Sequence, residues 1–209
     1  MASGPLGPAG HLWLRGGLDD AALAPLDALG WDGSAGARLG GGLSRLLAPL
    51  SAALTPHFGA VWPVRVVAFD KQVKANWSVP WHRDEIIAVA ALADMPGFDA
   101  WSCKGGVWHC RPPEAILREM LFCRLFLDDV GAEDGGMEFA PGSHLGPHKT
   151  GDAPNGAPEL ERASRGDILV LDMRTVHRSR PSTRPGRRRV LRVDMARAPL
   201  PAPLAWARP

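Results

Sequence analysis

The sequence predicts a mainly β domain of the sandwich or barrel kind, flanked by helices. Two observations carry this. From Val61 onward, short apolar segments rich in β-branched residues follow one another with turn-forming residues between most of them, whereas helical spacing is found in the first 60 residues. The chain also has 24 Gly and 20 Pro in 209 residues, which implies many turns. That length supports one well-buried core and is too short for two large ones, so a single domain spanning 1–209 is expected, with a mostly helical part (1–60) and a β core (61–197).

Taken in order, residues 1–10 are rich in Gly and Pro and read as loose, and "HLWLRGG" reads as a short strand. "LDDAALAPLDALG" reads as a helix: Asp19 and Asp20 suit its first turn, Pro25 limits or kinks it, and Gly30 can cap its end. A second helix is predicted over 36–58, with Leu43, Leu46, Leu47 and Leu50 on its packing face. "VWPVRVVAFDK" is the first strand of the β core. "IIAVAAL", "MLFCRLFLDD", "GGMEFAPGSH", "GDILVLDMRTVH" and "RRRVLRVDMARA" supply the rest. Residues 95–120 interrupt them as a long loop with a helical turn at its end; loops of that length tend to be lids or binding loops.

A formal charge of +2 excludes a polyanion binder by net charge alone. Cys103, Cys110 and Cys123 are odd in number and form no C-x-x-C pair, which argues against a disulfide framework and against a structural zinc site. No segment reaches the roughly 18 apolar residues of a membrane span, and the first residues do not read as a signal peptide. A soluble cytoplasmic protein is therefore expected.

The segment "NWSVPWHRDEIIAVAAL" loads charged groups onto the mouth of a strand, where they must be paired, solvated or bound to a metal. His82 and Asp84 are two residues apart, so an extended backbone projects both from one face. His177, at the end of "DILVLDMRTVH", is a third candidate. Two histidines and a carboxylate on one face of a metal leave its other positions open, as in non-haem Fe(II) oxygenases. An H-x-D pair alone is equally a surface pair or a core histidine. What raises the metal reading is "HRSRPSTRPGRRRVLRVDMA", where Ser179 and Arg187–Arg189 follow His177. A dicarboxylate suits an arginine fork assisted by a hydroxyl, and alternation turns Arg188 one way and Arg187 with Arg189 the other. Three consecutive arginines can also be a solvated edge.

The ordered motifs "NW…WHRDEIIAV", "PGF…WS…K.G..H", "RLFLDD…GGMEFAPGSH" and "VHRS…GRRRVL", from about Val61 to Ala196, resemble the phytanoyl-CoA dioxygenase family of Fe(II)- and 2-oxoglutarate-dependent oxygenases, especially its short bacterial members. The resemblance implies a double-stranded β-helix, a cupin-like jelly roll with flanking helices. It implies iron ligands at His82, Asp84 and His177, with Arg188 on the distal carboxylate of 2-oxoglutarate and Ser179 assisting. Arg124 stands where many relatives carry a Trp beside the cosubstrate, and offers a second cation there. The implied reaction is hydroxylation of a small molecule by O2 with release of succinate and CO2. Retention of Asp84 fits that outcome, because related halogenases lose this carboxylate. A CoA thioester is implied only by the family's name, whose members act on varied small molecules.

"GGMEFAPGSH" reads first as turns, with a hairpin near the site entrance implied by the family. His144 and His148 are not expected to bind metal, and His11, His57 and His109 have no partners at ligand spacing. Trp81, Trp101 and Trp108 are candidate pocket walls or core packing; Lys71 and Asn76 are candidate cosubstrate or substrate contacts or solvated loop residues. Arg83 and Glu85 face away from the metal. Two further readings stand beside the oxygenase. Nine arginines between Arg174 and Arg197 could track phosphates in a nucleic-acid-binding or demethylating protein, although no nucleic-acid motif is present. A non-enzymatic jelly-roll module with a structural metal is the other. No feature of the sequence specifies an oligomeric state.

Overall fold

The computed structural model describes residues 5–33 and 35–209; of the N-terminal stretch read as loose, residues 1–4 lie outside the described residues. The elements are β1 (His11–Leu14), α1 (Asp20–Asp27), β2 (Ala35–Leu39), α2 (Ala48–Phe58), β3 (Trp62–Gln72), β4 (Val79–His82) and β5 (Ile87–Val89), then β6 (Asp99–Lys104), β7 (Val107–Arg111), α3 (Glu114–Leu117) and β8 (Met120–Phe126). They continue with β9 (Met137–Phe139), a 3-10 turn (Ser143–Leu145), β10 (Glu159–Leu160), β11 (Ile168–Asp172), β12 (His177–Ser179) and β13 (Arg187–Ala196). A six-stranded sheet in the order β1-β11-β8-β13-β3-β2 faces a four-stranded sheet in the order β10-β9-β12-β4, and β5-β7-β6 form a third. All pairs are antiparallel. The architecture is the double-stranded β-helix that the sequence led us to expect.

The period of two along a strand divides the large sheet into a dry face and a mixed one. On β8, Leu121, Cys123 and Leu125 join the core beneath the helices, with Leu23, Leu26, Leu47, Leu50 and Leu54. Phe122 and Phe126 point the other way, into the core between the sheets. Arg124, between them in sequence, shares that inner face. β13 repeats the pattern: Leu191, Val193 and Met195 pack under the helices, whereas Val190 and Ala196 belong to the inner core. Arg188 and Arg192 line a cavity on that inner side, as alternation requires.

Three expectations are corrected. The helix predicted over 36–58 starts late: β2 pairs with β3, and only α2 is helical. Gly41 and Gly42, at φ 87° and 91°, break the segment between them, although Leu43, Leu47 and Leu50 are buried as expected. α1 ends at Asp27 with Ala28 as its C-cap, short of Gly30; Asp19 is its N-cap, accepting from Ala22 N at 2.9 Å. Residues 95–120 are no loop. β6 and β7 form a hairpin whose two-residue turn is Gly105-Gly106, both at positive φ, so "KGGV" was a hairpin signal.

Gly166 fixes the approach of the chain to α1. Its φ is +87°, and a Cβ there would stand 2.2 Å from Leu18 O. Gly166→Ala is expected to destabilise the protein by about 2–4 kcal/mol in urea unfolding, through strain and a backbone clash. A loss below about 0.5 kcal/mol would show that this turn relaxes freely.

Candidate metal and cosubstrate site

Strand pairing, not sequence proximity, assembles the site. β4 pairs with β12 so that His82 lies opposite His177, and Asp84 follows two residues after His82 in an irregular stretch. The sequence had placed His177 at the end of a strand. It opens a new one instead, because β11 stops at Asp172 and the chain turns before β12. Ligand atoms of His82, Asp84 and His177 lie within 4.8 Å of one another, the one such group among the described residues. His177 Nε2 is 3.2 Å from Asp84 Oδ2, and the two imidazole centroids are 4.3 Å apart.

Backbone carbonyls set both tautomers. His82 Nδ1–H donates to Pro80 O at 2.8 Å and His177 Nδ1–H to Thr175 O at 2.9 Å, since a carbonyl only accepts. Each Nε2 lone pair is thereby left for a metal. Burial, and then His177, lower the pKa of His82, which favours the neutral ligand form. Burial pushes the Asp84 carboxyl up, but Arg192 and then His177 outweigh it and hold the group well below the usual carboxylate range. Two imidazoles and one carboxylate on one face suit a divalent transition metal.

The same three residues line a cavity of about 150 Å3, together with Phe69, Trp77, Phe122, Ser179, Arg124, Arg188 and Arg192. Arg188 is 3% exposed, yet its Nε and Nη1 are buried with no hydrogen-bond partner. Its nearest carboxylate, Glu161, is 3.9 Å away. Burial, and then Arg124, lower its pKa to about 10. A buried guanidinium with unmet donors is a seat for an anion. Arg124 is not equivalent: Glu161 holds its Nε and, at 3.0 Å, its Nη2, and Met137 N donates to the same carboxylate at 2.8 Å. The second cation expected at Arg124 is therefore present in the cavity but already paired.

The sequence reading undervalued Lys71, which stands behind Ser179, and missed Arg192, which lines the cavity. Lys71 Nζ has four oxygens within hydrogen-bond distance, one more than its three N–H bonds can serve at once: Trp77 O at 3.0 Å, Gly135 O at 3.1 Å, Ser179 Oγ at 3.3 Å and Arg180 O. Arg192 donates to Asp84 and, at 2.7 Å, to Asp194. Counting alternate positions from Arg188 along β13 would have found Arg192 on the same face. Asn76 instead closes a loop, exchanging two hydrogen bonds with the Ser182 backbone. Trp81 packs with Ala140 and Val176, and Trp101 and Trp108 pack on the inner core; Trp77 is the tryptophan in the cavity wall. Arg83 and Glu85 line a separate cavity of about 690 Å3, where Arg83 donates to Gly146 O at 2.5 Å and to Ser143 O.

A double-stranded β-helix with two histidines and one carboxylate beside a buried arginine that has unmet donors defines a class of non-haem metal protein. The sequence matches the phytanoyl-CoA dioxygenase (PhyH) family over residues 45–190, well over half of the chain. The chain belongs to this family of iron- and 2-oxoglutarate-dependent oxygenases. No curated protein matches it in sequence. Its fold is similar to that of AviO1 from Streptomyces viridochromogenes Tue57, with 23% identity, TM-score 0.61 and 94% of each chain covered. It is also similar to the non-heme alpha-ketoglutarate-dependent epimerase SnoN of nogalamycin biosynthesis (19%, 0.60, covering 97% of this chain and 80% of SnoN). HygX from Streptomyces hygroscopicus, solved with nickel and 2-oxoglutarate, is a third (15%, 0.57, 90% and 82%).

Lys71 makes a pH-dependent contribution to stability. Burial, and then Arg188 and Arg124, lower its pKa from 10.5 to about 7. Between those values the unfolded chain binds the proton and the folded one has released it, so this group makes stability rise with pH from about 7 to 10. Lys71→Met is expected to flatten that rise, at most about 1.4 kcal/mol per pH unit, in urea unfolding across the window. An unchanged slope would mean that the four surrounding oxygens keep the ammonium charged.

Proposed function

We propose that this protein hydroxylates a small organic molecule using Fe(II), 2-oxoglutarate and O2. The observation that carries this reading is the shared cavity: a 2-His-1-carboxylate cluster and, within the same walls, an arginine 3% exposed whose Nε and Nη1 lack partners. Family membership supports it, as does the similarity in fold to SnoN, which has also been solved with Fe3+ and alpha-ketoglutarate. His82, Asp84 and His177 hold the metal on one face, with Nε2 of each imidazole presented by the carbonyl bonded to its Nδ1–H. Arg188 takes the distal carboxylate of 2-oxoglutarate through its unmet donors, and Ser179, whose oxygen accepts from Lys71, directs its own hydroxyl proton toward that carboxylate.

Phe69, Trp77 and Phe122 exclude water from that end. The cavity, about 150 Å3, lies between the metal cluster and Arg188, where the cosubstrate would bridge them. When bound, the iron and 2-oxoglutarate pair supplies oxidative decarboxylation to succinate and CO2 and transfer of the second oxygen atom into a C–H bond. Retention of Asp84 argues against halogenation, since related halogenases lose this carboxylate; hydroxylation is proposed over an outcome such as the epimerisation for which SnoN is named as the simplest fate of the transferred oxygen.

The arginine-rich segment offers little to a nucleic acid. Of its nine arginines, eight are bonded to carboxylates: Arg174, Arg178, Arg180, Arg184, Arg187, Arg189, Arg192 and Arg197. The ninth is the buried Arg188.

Anaerobic titration of the Fe(II)-loaded protein with 2-oxoglutarate tests the reading. A visible metal-to-ligand charge-transfer band is expected in wild type, absent in His82→Ala, and requiring about 10- to 100-fold more 2-oxoglutarate in Arg188→Ala. Asp84→Ala is expected to abolish succinate formation. A folded, iron-loaded wild type that shows no band would leave a jelly-roll module without this chemistry.

A further inference from the structure

His82 and His177 belong to paired strands, and their orientation follows from the ladder and from their carbonyl contacts. Asp84 has no such support. It lies in residues 83–86, which have no regular structure, so its carboxylate must be fixed by something else. That partner is Arg192. The guanidinium is 5% exposed; Nη1 donates to Asp84 Oδ2, and Nε donates to Asp194 Oδ1 at 2.7 Å. Its face lies 4.1 Å from the Phe122 ring centroid, and the same ring stands 5.1 Å from that of His177. Asp194, itself 1% exposed, takes Arg65 Nε on its other oxygen at 2.5 Å. A chain of alternating charge thus runs Asp84, Arg192, Asp194, Arg65, with its two middle members buried, and its formal charges sum to zero.

We propose, resting on the metal reading above, that Arg192 is a positioning residue. It pins one oxygen of the Asp84 carboxylate so that the ligand set is assembled before metal arrives, and Asp194 with Arg65 holds Arg192 in place. Two opposing effects act on affinity. A cation beside the site repels a dication, whereas a carboxylate held in one orientation loses less freedom on binding. Asp194 neutralises Arg192, so the ordering effect prevails. Lysine is no substitute, because one ammonium on a flexible stem cannot bridge two carboxylates in a fixed fork.

Co(II) binding to the full chain, followed by its visible ligand-field spectrum and by calorimetry, tests this without turnover. Arg192→Met is expected to weaken Co(II) binding about 10- to 100-fold and to change the spectrum, with Arg192→Lys failing to restore either. Asp194→Asn, which touches no ligand, should weaken binding by a smaller factor. The double variant should bind no worse than Arg192→Met alone, since both changes break one chain. Wild-type or tighter affinity with an unchanged spectrum in Arg192→Met overturns the inference, and additive losses overturn the role of Asp194. If Arg192→Met does not fold, unchanged Co(II) binding in both Arg192→Lys and Asp194→Asn overturns it. A wild type that binds no Co(II) overturns the metal reading and this inference together.

Discussion

Charge buried between two sheets has to be matched, and that constraint organises this protein. Arg124 and Arg192 are direct cross-strand partners on β8 and β13. Like charges so placed repel, and neither can reach bulk water. Each is neutralised from a different direction: Glu161 holds Arg124, while Asp84 and Asp194 hold Arg192. Arg188, two positions further along the same face beyond Val190, has Glu161 no nearer than 3.9 Å, and its Nε and Nη1 make no hydrogen bond. The anion it lacks is the one the proposed cosubstrate supplies.

The buried ion pairs add little to stability, because the desolvation of buried ions offsets much of their attraction. Stability comes from apolar burial on both sides of the large sheet. On the outer face the leucines of α1 and α2 close over Leu121, Cys123, Leu125, Leu191 and Val193; on the inner face Phe122, Phe126, Val190 and Ala196 pack between the sheets beside the arginines. Outward residues of β13 hold the helices on, inward ones share the inner core and the site, and a one-residue slip of that strand would exchange the two sets.

The candidate metal cluster depends on the same register. His82 meets His177 because β4 and β12 pair in the small sheet, and Phe122 from the large sheet backs His177 from across the interior. Asp84 is anchored to the large sheet through Arg192. The ligand set therefore spans both sheets, and its geometry reports on how they pack. Outside the interior, the remaining arginines of the C-terminal segment clip neighbouring strands and loops to one another, as Arg187 does with Asp70 and Arg184 with Asp134. Their density reflects this internal pairing.

The sequence by itself determined the β-rich class, most of its strands and the spacing that nominates His82, Asp84, His177, Ser179 and Arg188, because alternation and turn chemistry are local properties. Alternation also set Arg188 on the opposite face from Arg187 and Arg189, and the family resemblance chose it among the three. Local reasoning failed where a partner far along the chain decides the outcome. Ala35–Leu39 became a strand because β3 offered an edge to pair with, and a leucine-rich neighbourhood could not show that. Glu161 is 37 residues from Arg124, and Asp84 is 108 from Arg192, so only the tertiary structure could decide which cations were already matched. Those long-range pairs leave Arg188 open to a ligand and hold Asp84 in place, since the cost of an unmatched buried charge is settled by what surrounds it in space.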